Sequence, residues 1–427
     1  MCIKEKMQSK TWTIFLGILF FLVLLYILAL NGSTIFNKDE IVANYFKIIG
    51  KNYTKSTMLK PLLQPPPVEQ AEFIGSVGFM NSKKMKNRPR NTTDYEKGHR
   101  DLCKNSWQEE YTKLHQNQIN AKKFITYTCP KSGWGNRLRD LIARFHFAVV
   151  VGRAFIINCD RPSPLDRYLS PRNIKWNYKI NQTKLTVRSG YPVRLGDIKN
   201  GDIRKTFEKT LNYSVEHSPR LVGNINKWIV SHLRYNLTVW PNLGQMMGCS
   251  FYYLFKKSDR LEKRLEEWKE ELGYYENIVL AIHIREGDSV FHHNRNDKRF
   301  KDPKEFDVCF ECAAKIQKRI EEKYKTKKVI WFLAADSEKR KTYARTKYGN
   351  KVKYITGPIE HVGHPTKGNG DAGQFTMFLD YFLMQEADYR LYPGSSTFDN
   401  AVNFITLGTA DSSRGAKACP MPRSLKV

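Results

Sequence analysis

Residues 278–288, IVLAIHIREGD, join seven strand-forming residues to a charged turn. From Ile278 to Ile284 only His283 is polar, and nothing alternates. Such a run fits a strand buried on both faces, as strands in parallel sheets are. Three more runs follow: VIWFLAA (329–335), VKYIT (352–356) and YRLYP (389–393). Helical patterns fill the intervals at 304–325, 337–348 and 374–387, and 396–407 reads as the closing helix. Strands alternating with helices predict an α/β fold with a parallel sheet covered on both faces.

A second unit lies upstream. FITYT (124–128) is β-rich, Gly133-Trp134-Gly135 is a turn, and Leu138, Leu141, Ile142, Phe145 and Val149 follow at helical spacing. Ala154–Asn158 completes a β-α-β unit with its right-handed crossover. Residues 259–273 form an amphipathic helix with Leu261, Leu265, Trp268 and Leu272 on one face. Two units joined near residue 270 predict two facing Rossmann-like domains, 121–270 and 271–427, with a cleft between them. The stretch 165–250 follows no readable pattern.

The N-terminus predicts a membrane anchor. Thr11–Leu30 carries no charge and is long enough to span a bilayer as a helix. A cleaved signal peptide, with Ala29 and Gly32 near the cut, is the rival; its apolar core would be shorter. Lys4, Lys6 and Lys10 outnumber Glu5, so residues 1–10 stay cytosolic and the body is lumenal. Residues 31–120, with Pro65-Pro66-Pro67 and a basic stretch at 81–93, read as a stem. Sequons at Asn31, Asn52, Asn91, Asn181, Asn212 and Asn236 fit a lumenal body. Seven cysteines follow the anchor, so in an oxidising lumen some pair and at least one does not.

Of 427 residues, 13% are aromatic and 41% apolar, which excludes global disorder. Charged residues at 26% exclude a multi-pass membrane protein. The net charge of +29 invites a nucleic-acid partner, but a lumenal body does not meet the genome.

Open parallel sheets bind ligands at the carboxyl ends of their strands. Strand 278–284 ends in His283-Ile284-Arg285-Glu286-Gly287-Asp288, and strand 329–335 in Asp336-Ser337. Strand 389–393 ends in Gly394-Ser395-Ser396-Thr397-Phe398, which opens a helix. Arginine grips phosphate through two nitrogens. Ser395, Ser396 and Thr397 offer hydroxyls and helix N-terminal N–H groups to an anion. Asp336 suits a ribose hydroxyl or a base edge. Each feature has a structural reading too: the hydroxyls cap a helix, and Arg285 pairs with Asp288. Three such features at successive strand ends point to a phosphate-bearing ligand.

HIREGD, the strand ending in AADS, and PGSSTF before a helix resemble the three motifs of the α1,2-, α1,6- and protein O-fucosyltransferase superfamily. GWGNR (133–137) is similar to the G-x-G-N-R turn of plant xyloglucan-type α1,2-fucosyltransferases. The resemblance covers 124–160 and 278–408. It implies a GT-B fold, metal-independent inverting transfer from GDP-fucose with no cofactor, a glycan or glycoprotein acceptor, and a single-pass type II Golgi protein. It implies that Arg285 holds the donor β-phosphate in a pocket shaped by His283 and Gly287. Asp336 and Ser337 then lie near the guanosine, while Ser395, Ser396, Thr397 and Phe398 close around the diphosphate. Gly133, Gly135, Asn136 and Arg137 face them from the other domain. Asp288 is the candidate base, or else only orients Arg285. Many relatives carry a second Arg where this chain has Glu286. Other readings of the same scaffold are a different nucleotide-sugar donor, and a glycan-binding protein without turnover.

Two further patterns have plainer readings. GNGDAG (368–373) spells a dinucleotide fingerprint but follows no strand, so it reads as a loop beside the cleft, where His361, His364 and Lys367 either touch the donor or are solvated. Cys309-x-x-Cys312 with His361-x-x-His364 matches no familiar zinc spacing, and a lumenal setting favours oxidation of both cysteines. No Asp-x-Asp pair occurs, which argues against metal-dependent sugar-nucleotide chemistry.

Overall fold

The computed structural model describes residues 103, 106–180, 187–188, 214–215, 243–287, 304–325, 328–363, 370–394, 396–407, 411–415 and 418–426. The expected anchor and most of the expected stem lie outside these residues, as do Asp288, His364, Lys367 and Ser395. Among the described residues no helix is long and apolar enough to cross a membrane.

The chain is built on two parallel sheets. In the first half, β1 (Phe124–Thr128) lies beside β2 (Ala154–Asn158), in register from Phe124 opposite Ala154 to Thr128 opposite Asn158. The short strands β4 (Val187–Arg188) and β5 (Ser214–Val215) extend this sheet in the order β2-β1-β5-β4. Helix α2 (Trp134–Val151) links β1 to β2 and buries Leu138, Leu141, Ile142 and Phe145. A small antiparallel pair, β3 (Leu169–Pro171) and β6 (Phe255–Lys257), flanks this half. Helices α3 (Leu243–Leu254) and α4 (Asp259–Leu272) complete it. Ser258 caps α4 by accepting from the Leu261 N–H.

The second sheet runs β11-β10-β7-β8-β9, all parallel. Its strands are β7 (Ile278–Ile284), β8 (Val329–Ala335), β9 (Val352–Lys353), β10 (Tyr389–Tyr392) and β11 (Asp411–Arg414). Helices α5 (Lys304–Tyr324), α6 (Glu338–Tyr348), α7 (Gly370–Glu386) and α8 (Thr397–Ile405) alternate with them. The two faces of β7 divide as period-two pleating requires. Val279 and Ala281 enter one core; Leu280, Ile282 and Ile284 enter another with Phe310, Trp331 and Leu333. That double burial is why the strand has no polar alternation.

Several expectations need correction. The expected stem ended at residue 120, yet α1 (Ser106–Asn120) belongs to the folded body. Tyr111, His115 and Ile119 are buried on its inner face, and the Tyr111 hydroxyl donates to the Arg153 carbonyl at 2.8 Å. A Cys103–Cys249 disulfide ties down the chain just before it. The helix expected at 374 begins at Gly370, so the last four residues of GNGDAG form its first turn, not a loop. The strand expected over 352–356 is only Val352–Lys353.

Cys309 and Cys312 part company. Cys312 bonds to Cys419 and Cys129 to Cys159, whereas Cys309 is buried in the second core and forms none of these bridges. With its sulfur committed to Cys419, Cys312 does not serve the zinc reading. Among the described residues no group of three or more His, Cys, Asp or Glu is placed to hold a metal ion.

The division near residue 270 does not divide the core. One cluster takes Phe145, Met247 and Phe251 from the first half and Phe378, Tyr381 and Val402 from the second. Helix α8 crosses onto α2 and α3, close enough that a Cβ on Gly248 would lie 2.1 Å from the Phe404 carbonyl oxygen. Gly248→Ala must therefore push one helix off the other. Overpacking of this kind costs about 1–3 kcal/mol, read as a lower urea midpoint at unchanged m-value.

Candidate active site

The register of the second sheet builds the site. Ile284 stands opposite Ala335, so the next residue of each strand, Arg285 and Asp336, leaves the sheet side by side. Arg285 Nη1 lies 3.1 Å from Asp336 Oδ2. Asp336 also accepts from the Glu286 N–H at 2.8 Å and the Gly287 N–H at 3.3 Å. Asp336 was expected to take a nucleoside, but both its oxygens hold the Arg285–Gly287 turn. Gly287 serves that turn, with φ at 114°. Glu286 accepts from Arg340 Nε at 2.8 Å, so its charge is matched by a cation from α6.

His283 is buried and its Nδ1 is hydrogen-bonded to Asp399 in the first turn of α8. Its ring lies 4.9 Å from that of Phe398. Asp380, on α7, is the second acid near this imidazole. Burial pushes its carboxyl up to about 6, against the pull of Lys341 and His283. Its Oδ1 is buried with no hydrogen-bond partner.

A cavity of about 330 Å³ gathers these groups. Its walls are residues 131–136, His283 and Arg285, 334–336, 358–362, one face of α7 (Gly373, Thr376, Met377, Asp380), and 396–398. Two helix N-termini open on it. Gly133 is the N-cap of α2 and has no side chain to fold back on the first turn. Ser396 caps α8 by accepting from the Phe398 N–H at 3.2 Å, so its hydroxyl has the capping role. The two helix ends touch: a Cβ on Gly135 would lie 2.1 Å from the Thr397 carbonyl oxygen. Free N–H groups and the positive ends of two dipoles make this an anion site, with Lys131 and Arg285 as its cations.

His283, Arg285, Asp336, Gly133, Gly135, Asn136, Ser396, Thr397 and Phe398 thus converge on one cavity, as the motifs imply. Ser337 instead sits at the N-cap position of α6, where its carbonyl accepts from the Arg340 and Lys341 N–H groups and its side chain makes no capping bond, and it is not among the lining residues. Arg137 was expected to face the donor and does not. It is buried and donates to three carbonyls: Pro130 at 3.0 Å, Arg161 at 2.8 Å and Val362 at 3.0 Å. Burial lowers its pKa to about 10, which leaves it charged at neutral pH. Asp380 and Asp399 escaped the sequence reading. Asp380 had a signal, a lone acid inside the apolar run FLDYFLM; Asp399 looked like an ordinary first-turn acid.

No family model and no curated protein matches the chain. Solved structures do resemble it. Fucosyltransferase NodZ from Bradyrhizobium has 14% identity and a TM-score of 0.42, covering 68% of this chain and 93% of that one. A variant of Arabidopsis thaliana FUT1 in complex with GDP has 13% identity and a TM-score of 0.43, covering 90% and 85%. POFUT1 in complex with GDP-fucose has 13% identity and a TM-score of 0.39, covering 69% and 97%.

The clamp made by Arg137 is open to test. Arg137→Lys keeps the charge but cannot reach three carbonyls in three directions. Each buried carbonyl left alone costs about 1–3 kcal/mol, so a clear fall in the urea midpoint is expected. A ligand-facing arginine would leave that midpoint unmoved.

Proposed function

We propose that this chain is a fucosyltransferase that moves L-fucose from GDP-fucose to a glycan hydroxyl. The observation that carries this reading is one cavity holding Arg285 at a strand end, the first turns of α2 and α8, and the buried acid Asp380. The first three suit a diphosphate. The fourth suits guanine, whose Watson–Crick edge offers N–H donors to a carboxylate.

The acceptor hydroxyl attacks C1 of fucose from the face opposite the diphosphate, and configuration inverts. The bond from C1 to the β-phosphate oxygen breaks, and GDP leaves with the electron pair. Arg285 and the helix N-termini stabilise that charge as it develops, without a metal ion. Asp288 is the proposed acceptor of the alcohol proton. Asp336 keeps Arg285 aimed, and Asp399 keeps His283 against Phe398. The proposed setting is the Golgi lumen, with Thr11–Leu30 as the anchor. Three disulfides in the body support an oxidising compartment.

The deciding experiment screens full-length protein for GDP release from several nucleotide-sugars, with glycan acceptors and excess EDTA. Release from GDP-fucose alone among the donors is expected. In the same assay Arg285→Ala should lower transfer about 100-fold or more, the usual loss for a charge-stabilising donor. Arg285→Lys should also fall well below wild type, because a point charge lacks the planar fork. Asp336 retains two backbone donors in both variants, so their melting curves should stay near wild type. Binding without turnover for every donor would favour the glycan-binding reading.

The raised pKa of Asp380 gives a pH dependence with a definite sign. The carboxylate accepts from the base only when ionised, that is, above about 6. GDP-fucose affinity should therefore rise with pH up to about 6, by up to tenfold per unit, and level off above it. GDP-fucose is the right probe because its diphosphate diester does not titrate in this range. Asp380→Asn should bind more weakly and lose the pH slope.

A further inference from the structure

His361 lies on the stretch between β9 and α7 that forms one wall of the cavity. The surroundings fix its ring. The side chain is buried, and the Gly363 N–H donates to Nδ1 at 3.2 Å. The main chain beside it is held in turn. Val362 offers its carbonyl to Arg137 Nη2 at 3.0 Å. Gly363 lies flat on the next loop, since a Cβ there would stand 2.6 Å from the Ser132 nitrogen. The other ring nitrogen, Nε2, faces the start of α2, 3.9 Å from where a Cβ on Gly133 would stand.

A neutral imidazole carries one N–H. Because Nδ1 accepts from the main chain, the hydrogen belongs on Nε2. His361 therefore presents a donor to the cavity rather than a base.

We propose that His361 is a diphosphate-binding residue, its Nε2–H donating to an anionic oxygen of a nucleoside diphosphate seated on the first turn of α2. This rests on the GDP-sugar reading above. The same donor helps GDP to leave: as the C1–oxygen bond breaks, the electron pair and its charge stay on the diphosphate, where a fixed donor counts for more.

Titration of the full-length chain with GDP and with GMP tests the assignment. His361→Ala should weaken GDP binding about 10- to 100-fold, as for a hydrogen bond to a charged group, and GMP binding no more than about threefold. His361→Asn keeps an N–H and an oxygen that can accept from Gly363, and should recover most of the loss. His361→Ala also strips the buried Gly363 N–H of its acceptor and should melt lower, so the difference between GDP and GMP, not the melting point, reports on the diphosphate. NMR of ¹⁵N-histidine-labelled protein should show the Nε2-protonated tautomer. Equal losses for GDP and GMP, no loss for either, or an Nδ1-protonated ring would each overturn the proposal. Failure of the wild type to bind GDP would overturn the underlying reading instead, and the proposal with it.

Discussion

The site depends on a contact that has no side chain in it. Gly135 in the first turn of α2 lies against the Thr397 carbonyl at the start of α8. One helix belongs to the first half of the chain and the other to the second. Two positive helix ends repel each other, and something must offset that. Asp399 in the first turn of α8 does part of it, and the edge-on packing of Trp134 against Phe378 at 4.8 Å does more. The remaining positive potential points into the cavity, where an anion would complete the balance.

How far the sequence revealed this arrangement follows from how each residue is held. Strands buried on both faces announced themselves as unbroken apolar runs, so the second sheet was readable nearly residue by residue. Strand ends were readable for the same reason, which is how Arg285 and Asp336 came to notice. Their pairing was not. Asp288, a near neighbour in the chain, was the alternative partner for Arg285 and lies outside the described residues, whereas the ion pair with Asp336 comes from the register of β7 against β8. Arg137 was misplaced because a motif gives spacing but not the face a helix turns inward. Helix α7 buries residues all the way round, so Asp380 had no polar side to mark it out. In α1 the inward residues Tyr111, His115 and Ile119 do recur at helical spacing, but the polar sequence around them hid the stripe.

Polar groups buried across the junction repeat this logic on the far side of the core. Lys269 at the end of α4 is 2.8 Å from Glu386 at the end of α7, and both are nearly inaccessible. Burial works against the ammonium, yet Glu386 and Glu266 outweigh it and hold its pKa above the ordinary lysine value. Such a pair adds little net stability against apolar residues of the same shape. Breaking it by removing one partner is costly, so it discriminates against any other way of docking the two helices.

The crossing of α8 onto α2 and α3 has a consequence for how the molecule comes apart. A protein whose halves own separate cores can melt one lobe while the other stands. Here the second lobe keeps one core to itself, around Leu280, Ile282 and Trp331, but the other core is shared. Phe251 packs near Phe382 and Tyr381, and the Tyr252 hydroxyl donates to the Ile405 carbonyl, so opening either lobe uncovers the shared interior. Unfolding of the two lobes is therefore coupled through the shared core. A cut at the midpoint would expose the shared core on both sides, and the cavity, lined from both lobes, would vanish with the first lobe to open.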